Sequence, residues 1–456
     1  MSTSTAGIRV RTPGPSGIGY LPGFVRDPAR ALTDLRRQYG DVVHVRHGPL
    51  RGYLVFHPVD VERVLGDNVA NYGHGDWVNS KMASTLGRGI FTVDGAEWRR
   101  QRHTLGAVFD HGDPSAFGEQ VVERSRAACA AWAAAAGRGE SLDMREAMER
   151  LSVANAGQFL FGDDWAANAE ILSTARRVFV TEAGRRLSSP IGRIPLSVPL
   201  PFHRTFRRVR HRYDQCIDRL IDRRRAAPTD EDLLGRLIRS HDTQQAAGPS
   251  DDELLRSQVT TVFLLAAPVP ITLTWVAHLL AAHPEVAKRL RSELTVVLGD
   301  RAVGMADLPR LPFLQQVVDE ALRMYPPIFL QPREALQADV LSGHAIPAGT
   351  RVVLCPYVTQ RHEGCWVDPD RFDPDRFSPE RSVGRAPYAF FPMGQPGPRR
   401  CLGSDLGRLE LALVVATVAQ HFQLSLTGSG RPETVMRMAM DFAGPVEIGL
   451  RPSDSD

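Results

Sequence analysis

Nothing near the amino terminus is apolar for long enough to be a signal h-region or a transmembrane helix. Met1 to Gly23 is instead rich in Gly, Pro and Ser and reads as an extended arm over residues 1–21. An excess of one charge is also missing: Lys and Arg total 55 against 52 Asp and Glu, a net +3, which gives no global reason to expect a nucleic-acid partner. Cysteine is sparse. Cys129, Cys216, Cys355, Cys365 and Cys401 are odd in number and widely spaced, which argues against a disulfide framework and for reduced thiols in a cytoplasmic compartment. The chain shows no internal repeat and no low-complexity tract. No strand followed by Gly-x-Gly-x-x-Gly and a helix is present, so no nicotinamide or flavin module is built in. What is abundant is apolar residue: 43% over 456 positions, enough for a large core.

Along the chain, Val42–Val45 and Tyr53–Phe56 read as short strands and Pro58–Leu65 as a short helix. From Trp98 to about Leu290, Ala, Leu, Arg and Glu recur at helical spacing, interrupted by Pro/Gly-rich connectors at 189–201 and 226–228. Strand-like pieces return after Pro326-Pro327, notably Arg351–Leu354, and a Pro/Asp-rich meander follows over 368–385. Leu402, Leu406, Leu409, Leu413 and Ala416 then step by three and four, the stripe of a helix that starts directly after Cys401. The expectation is a mainly α protein with a small β region (α+β).

Cys401 has the most distinctive neighbourhood. It lies in Phe390-Phe391-Pro392-Met393-Gly394-Gln395-Pro396-Gly397-Pro398-Arg399-Arg400-Cys401-Leu402-Gly403, a glycine-rich loop running into that helix. A helix amino end and two adjoining arginines stabilise a thiolate, although a lone cysteine is ordinarily an inert buried thiol. Gly397, Arg399, Cys401 and Gly403 resemble the Gly-x-Arg-x-Cys-x-Gly core of the cytochrome P450 haem-binding loop, and the chain is identified on them as resembling that family.

Further segments carry the same resemblance. Glu320 and Arg323 stand at i and i+3 on a helix stopped by Pro326-Pro327, and by spacing alone would be a solvated pair. In the family this pair is buried with an arginine from the meander, and Phe372-Asp373-Pro374-Asp375-Arg376-Phe377 nominates Arg376 for a structural network. Trp98 and Arg102 share one helical face, which by itself reads as an exposed basic helix. The resemblance implies that Trp98, Arg102, Arg333 and Arg399 reach the haem propionates. It also implies one P450 domain over 22–456, with β-rich parts near 40–60 and 330–355, a helical body over 98–326 and a haem-binding loop at 390–403. Haem b (iron protoporphyrin IX) would lie between a long central helix and the helix after Cys401, its iron held by Cys401 as metal ligand and catalytic thiolate.

Two features depart from the pattern. The central helix of the family carries an acid and an alcohol that deliver protons to dioxygen, whereas here Ala266-Ala267-Pro268-Val269-Pro270 occupies that region. Two prolines inside a helix require it to kink or open, and carbonyls freed near Leu264 and Ala266 would hold water in place of the missing side chains, with proton delivery by ordered water or a substrate hydroxyl; Thr272 is the nearest alternative alcohol. In the cysteine loop, the aromatic position seven before the cysteine is Gly394, or Met393 if one residue is inserted near Pro396, which implies a bulge.

The implied activity is insertion of one oxygen atom of O2 into a C–H or C=C bond of a hydrophobic small molecule, with electrons from a separate ferredoxin and ferredoxin reductase. Arg99, Arg100, Arg400 and Arg408 would receive the ferredoxin, or else form an ordinary solvated basic face. The resemblance implies a soluble monomer with no nucleic-acid or membrane partner. Ile328 and Met438 are expected in the substrate pocket by analogy; Met436, Met438 and Met440 alternate and equally suit the core side of one strand. A terpenoid, polyketide or polyketide-peptide is the expected substrate. Peroxide-driven or redox-neutral catalysis, or a haem sensor, are the rival readings.

Overall fold

A computed structural model describes residues 12–453 apart from 49–50, 111–112, 189–191, 193, 245–251, 395–396, 429 and 437–438. Within these, the chain forms two compact units. The first comprises Met1–Ser80, Leu322–Phe372 and Ser382–Cys401; the second comprises Lys81–Ala321, Asp373–Arg381 and Leu402–Asp456.

The first unit is built on a five-stranded sheet ordered Val42–Val45, Gly52–Val55, Thr350–Leu354, Gln331–Ala335, Tyr72–Gly73. The expected strands are there, and the early and late β regions join into one sheet. Gly52–Val55 runs parallel to Thr350–Leu354, with Leu54 opposite Val353, while the other neighbours pair antiparallel. All four residues of Gly52–Val55 are buried, as expected of a strand covered on both faces. One face packs Val55, Val61, Leu65, Tyr72, Val352 and Leu354 around Tyr388 and Phe391, so the sheet's core reaches the start of the cysteine loop. Residues 1–11 of the expected arm lie outside the described residues; beyond them, Pro13 accepts from the His44 amide at 2.8 Å, and a first helix spans Leu21–Arg26.

The second unit is helical. Its frame includes Pro114–Gly137, Met144–Phe161, Asp164–Ser188, Pro201–Ala226, Asp252–Leu265, Pro268–Ala282 and Ser404–His421. Asp252–Ala282 is apolar and long enough to cross a membrane by composition, but it is mostly buried inside this unit, as a core helix is. A small sheet of Ser141–Asp143, Glu447–Pro452 and Phe422–Leu426 closes one side. Met436 and Met440 do not share one strand as their alternation suggested. They face each other across an antiparallel hairpin of Thr434–Met436 with Met440–Phe442. Met438 lies outside the described residues.

Candidate active site

Cys401 is the exposed cysteine; Cys129, Cys216 and Cys355 are buried and Cys365 is half-buried. Burial pushes the Cys129 thiol up to about 12 and also raises Cys355, Cys216 and Cys365, keeping these four protonated. Of the five, the exposed Cys401 is therefore the one open to a ligand-binding role.

The loop leading to it is held by its own backbone. The Cys401 amide donates to the Met393 carbonyl at 2.9 Å, Arg400 N–H to Gly397 O at 3.0 Å, and Gly394 N–H to Phe391 O at 3.2 Å. Gly394 has φ +73°, the left-handed conformation for which glycine is suited. Gly397 is required by crowding: a Cβ there would lie 2.3 Å from the Leu65 carbonyl and 2.7 Å from the Tyr388 hydroxyl. Residues 395–396, where an inserted residue was expected, lie outside the described residues. On either side of them, the Met393 carbonyl comes directly against the cysteine amide. The following helix begins at Ser404, not directly after Cys401, with Gly403 as its cap.

Behind the loop stands a buried polar assembly. Arg323, fully buried at the end of the helix Pro312–Met324, donates from Nη1 to the Gln360 carbonyl at 2.9 Å and from Nη2 to the Arg371 carbonyl at 3.4 Å. Gln360, also fully buried, donates through Nε2 to the Leu322 and Arg323 carbonyls, both at 3.0 Å, and accepts from the Phe391 amide at 3.0 Å. One amide side chain thus fastens the end of that helix to the entry of the cysteine loop. Nothing in Thr359-Gln360-Arg361 signals this role, since it depends on where two distant backbones meet. In the second unit Glu320, fully buried, accepts from Arg376 Nε at 3.2 Å and from the Asp373 amide at 3.0 Å. The expected Glu320–Arg376 pairing is present and shielded from water. A solvated surface pair does not describe it.

Arg333 is buried on the strand Gln331–Ala335, opposite Val352, with Nη1 donating to the Pro332 carbonyl at 2.8 Å. Arg399 and Ile328 are half-buried in the same unit. On the helix Gly95–Asp110, Trp98 and Arg102 are half-buried and share a face with the buried Gln101 and Leu105, whereas Arg99, Arg100 and His103 are exposed. The exposed-basic-helix reading therefore holds for Arg99 and Arg100 and not for Trp98 and Arg102. Arg100 pairs with Glu97, and Arg408 pairs with Asp319 at 2.6 Å, so two of the four arginines nominated for a redox partner already have acidic neighbours.

The central helix is broken outright. Asp252–Leu265 ends, Ala266 and Ala267 form a turn, and Pro268–Ala282 begins anew with Pro268 in its first turn. Neither proline is therefore a helix-interior proline of the costly kind, because a first-turn proline gives up an amide that has no intrahelical partner. The carbonyls of Leu264 and Ala266 are not left wholly free, as the sequence suggested. They accept from Ala267 and Val269 at 3.3 and 3.4 Å, the long limit for such bonds. Thr272 is buried, and its hydroxyl donates to the Pro268 carbonyl at 3.1 Å, which commits its proton. The second unit also holds two buried titratable groups that no motif announced. Burial raises Glu410, which accepts from Asn155 Nδ2 at 3.0 Å, to about 7; burial lowers His278, packed against Trp275, to about 4.

Comparison with known proteins agrees with this architecture. The family pattern described as Cytochrome P450 matches residues 13–446. Cyclooctat-9-en-7-ol 5-monooxygenase of Streptomyces melanosporofaciens is 32% identical over 89% of this chain and 87% of its own. Pentalenene oxygenase of Streptomyces avermitilis is 28% identical over 90% and 89%. A zebra fish cytochrome P450 solved with progesterone superposes with a TM-score of 0.78 at 24% identity, covering 93% of this chain and 99% of that one, and so shares the fold. With a family pattern spanning nearly its whole length and a 32%-identical oxygenase relative, the chain belongs to the cytochrome P450 family, whose cofactor is haem iron and whose members are monooxygenases.

Proposed function

We propose that this protein is a haem-thiolate monooxygenase that holds haem b through Cys401 and oxygenates an apolar terpenoid. The observation that carries the reading is the exposed cysteine on a loop braced at Phe391, Met393 and Gly397, three residues before a long helix. The residues present fit the group. A single available thiol, a buried arginine at 333, a half-buried one at 399 and open space beside Gly403, where a Cβ would meet nothing within 4 Å, suit a flat metal-bearing dianion. When bound, thiolate-ligated haem supplies O–O cleavage and transfer of one oxygen atom to substrate.

The chain's own residues prepare that chemistry. Arg399, Arg400 and the amino end of Ser404–His421 favour the deprotonated sulfur, and the bond from the Cys401 amide to Met393 fixes where the sulfur stands. Arg333 and Arg399 supply guanidinium groups for propionates, and Trp98 and Arg102 are assigned the same role. Ile328 belongs to the apolar substrate wall. Electrons come from a separate ferredoxin and its reductase, with exposed Arg99 as the steering charge. The terpenoid assignment follows the relatives, two of which are named for oxygenating cyclooctat-9-en-7-ol and pentalenene. The reduced thiols and the buried central helix agree with a soluble cytoplasmic protein.

The test is the absorption spectrum of the reduced, CO-bound protein. A thiolate-type Soret band is expected in the parent and its loss in Cys401→Ser; a band unchanged by that substitution rejects the assignment. A peroxide-driven reaction is the second reading, favoured by the missing acid–alcohol pair at 266–270. Product formed with peroxide and not with ferredoxin and reductase would select it.

A further inference from the structure

The break at Ala266-Ala267 is rich in hydrogen-bond acceptors, because Pro268 and Pro270 bring no amide proton. In an unbroken helix the carbonyls of Leu264 and Ala266 would take the amide protons of residues 268 and 270, and both of those are prolines. What they receive instead are the long bonds of 3.3 and 3.4 Å from Ala267 and Val269. The side chains over 266–270 are Ala, Ala, Pro, Val and Pro, and bring no hydroxyl, amide or charge. The hydroxyls that follow are already spent: Thr272 donates to Pro268 O at 3.1 Å and Thr274 to Pro270 O at 2.8 Å. Ala266, Ala267, Pro268 and Val269 are each half-exposed, whereas Pro270 through Ala281 are buried without interruption. The turn is thus an accessible point on a mostly buried segment, and carbonyl oxygens have capacity for a second bond.

We infer that this turn binds a hydroxyl group of the substrate, which donates to the Leu264 or Ala266 carbonyl. The substrate class is an apolar polycyclic molecule that already carries an alcohol, and a hydrocarbon or an ether of the same shape is disfavoured because neither has a proton to give. The protein would then act after an alcohol-forming step, either an earlier oxygenation or a cyclisation ended by water. The inference rests on the monooxygenase reading above and narrows its substrate.

The experiment uses the haem-loaded full chain and three matched probes, cedrol, its methyl ether and cedrene, with binding measured by calorimetry. The alcohol is expected to bind about fivefold more tightly than the ether, the worth of one net hydrogen bond. In Pro268→Ala/Pro270→Ala, which restores both amide protons, that preference should shrink to within about twofold. Pro270→Ala alone, which restores one, should give an intermediate ratio and serves if the double variant folds poorly. Equal binding of alcohol and ether, failure of all three probes to bind, or a preference that survives in the proline variants overturns the inference. An intact thiolate-type Soret band in the same samples separates those outcomes from failure of the haem-thiolate reading itself, in which the band would be missing.

Discussion

Replacing Gln360 by leucine asks whether one buried amide secures the cysteine loop. Leucine keeps most of the volume and removes both polar ends, leaving the Phe391 amide and the Leu322 and Arg323 carbonyls without the partners they have at 3.0 Å. Those carbonyls belong to the last turn of Pro312–Met324, where the helix supplies no donor of its own. A buried polar group stripped of its partner costs about 1–3 kcal/mol, so three of them cost about 3–6 kcal/mol after partial relaxation. Against a total of about 5–15 kcal/mol this is a large fraction of the stability. Urea unfolding of the haem-loaded protein should show a lower midpoint with an unchanged slope. The reduced CO complex should lose part of its thiolate-type band, because the loop is loosened at its entry. The same change at exposed Gln215 should stay within about 0.5 kcal/mol. Gln360→Glu sharpens the test: a carboxylate accepts from Phe391 but cannot donate to the two carbonyls, so the damage should be greater at pH 8 than at pH 5. A Gln360→Leu protein within about 1 kcal/mol of its parent, with its band intact, refutes the argument.

Arg376→Met should destabilise by about 3–5 kcal/mol, since it removes the guanidinium from a fully buried Glu320, and Arg376→Lys by less; equal stability in thermal melts would make the pair ornamental. Glu410 and His278 titrate oppositely across nearly one window. Glu410 rises from 4.5 to about 7, so its contribution is full below pH 4.5 and is lost as pH climbs to 7. His278 falls from 6.5 to about 4, so its contribution is full above pH 6.5 and is lost as pH drops to 4. Each is worth about 3 kcal/mol, and they offset. Glu410→Gln should therefore leave stability that increases with pH between 4 and 6.5, and His278→Phe stability that decreases between 4.5 and 7; parallel profiles in chemical denaturation would contradict this. The two motif glycines should also part company. Gly397→Ala must push against the Leu65 carbonyl at 2.3 Å and should lower stability and the thiolate band together. Gly403→Ala meets nothing of the protein and should weaken haem retention alone.

The sequence shows helices and the cysteine loop readily, because periodicity and a dense motif are local properties. Pairing is not local. Gly52–Val55 and Thr350–Leu354 are each readable as strands, but nothing in either says that they lie side by side in parallel. The proline pair at 268 and 270 announces a disturbed helix. That Pro268 opens a new helix, and so costs little, follows only once Ala266 and Ala267 are seen to turn. The methionine alternation misled because a hairpin brings Met436 opposite Met440 as readily as a single strand would align them. Gln360 is illegible for the same reason as the parallel pair: its partners come from two separate stretches of chain, both distant from it.

That parallel pair also sets a timetable for synthesis. Tyr53 leaves the ribosome about 300 residues before its neighbour Val352, which at roughly 5–20 residues per second is a delay of about 15–60 seconds. Through that interval the ladder edge of Gly52–Val55 has no partner and is a template for pairing with other chains. The unit that carries Cys401 is completed only when the last of its three segments has been made, so its maturation is intrinsically late and its folding slow. Expression that lowers the elongation rate lengthens this vulnerable period, and the yield of haem-loaded protein will be governed by how well the nascent first segment is shielded during it.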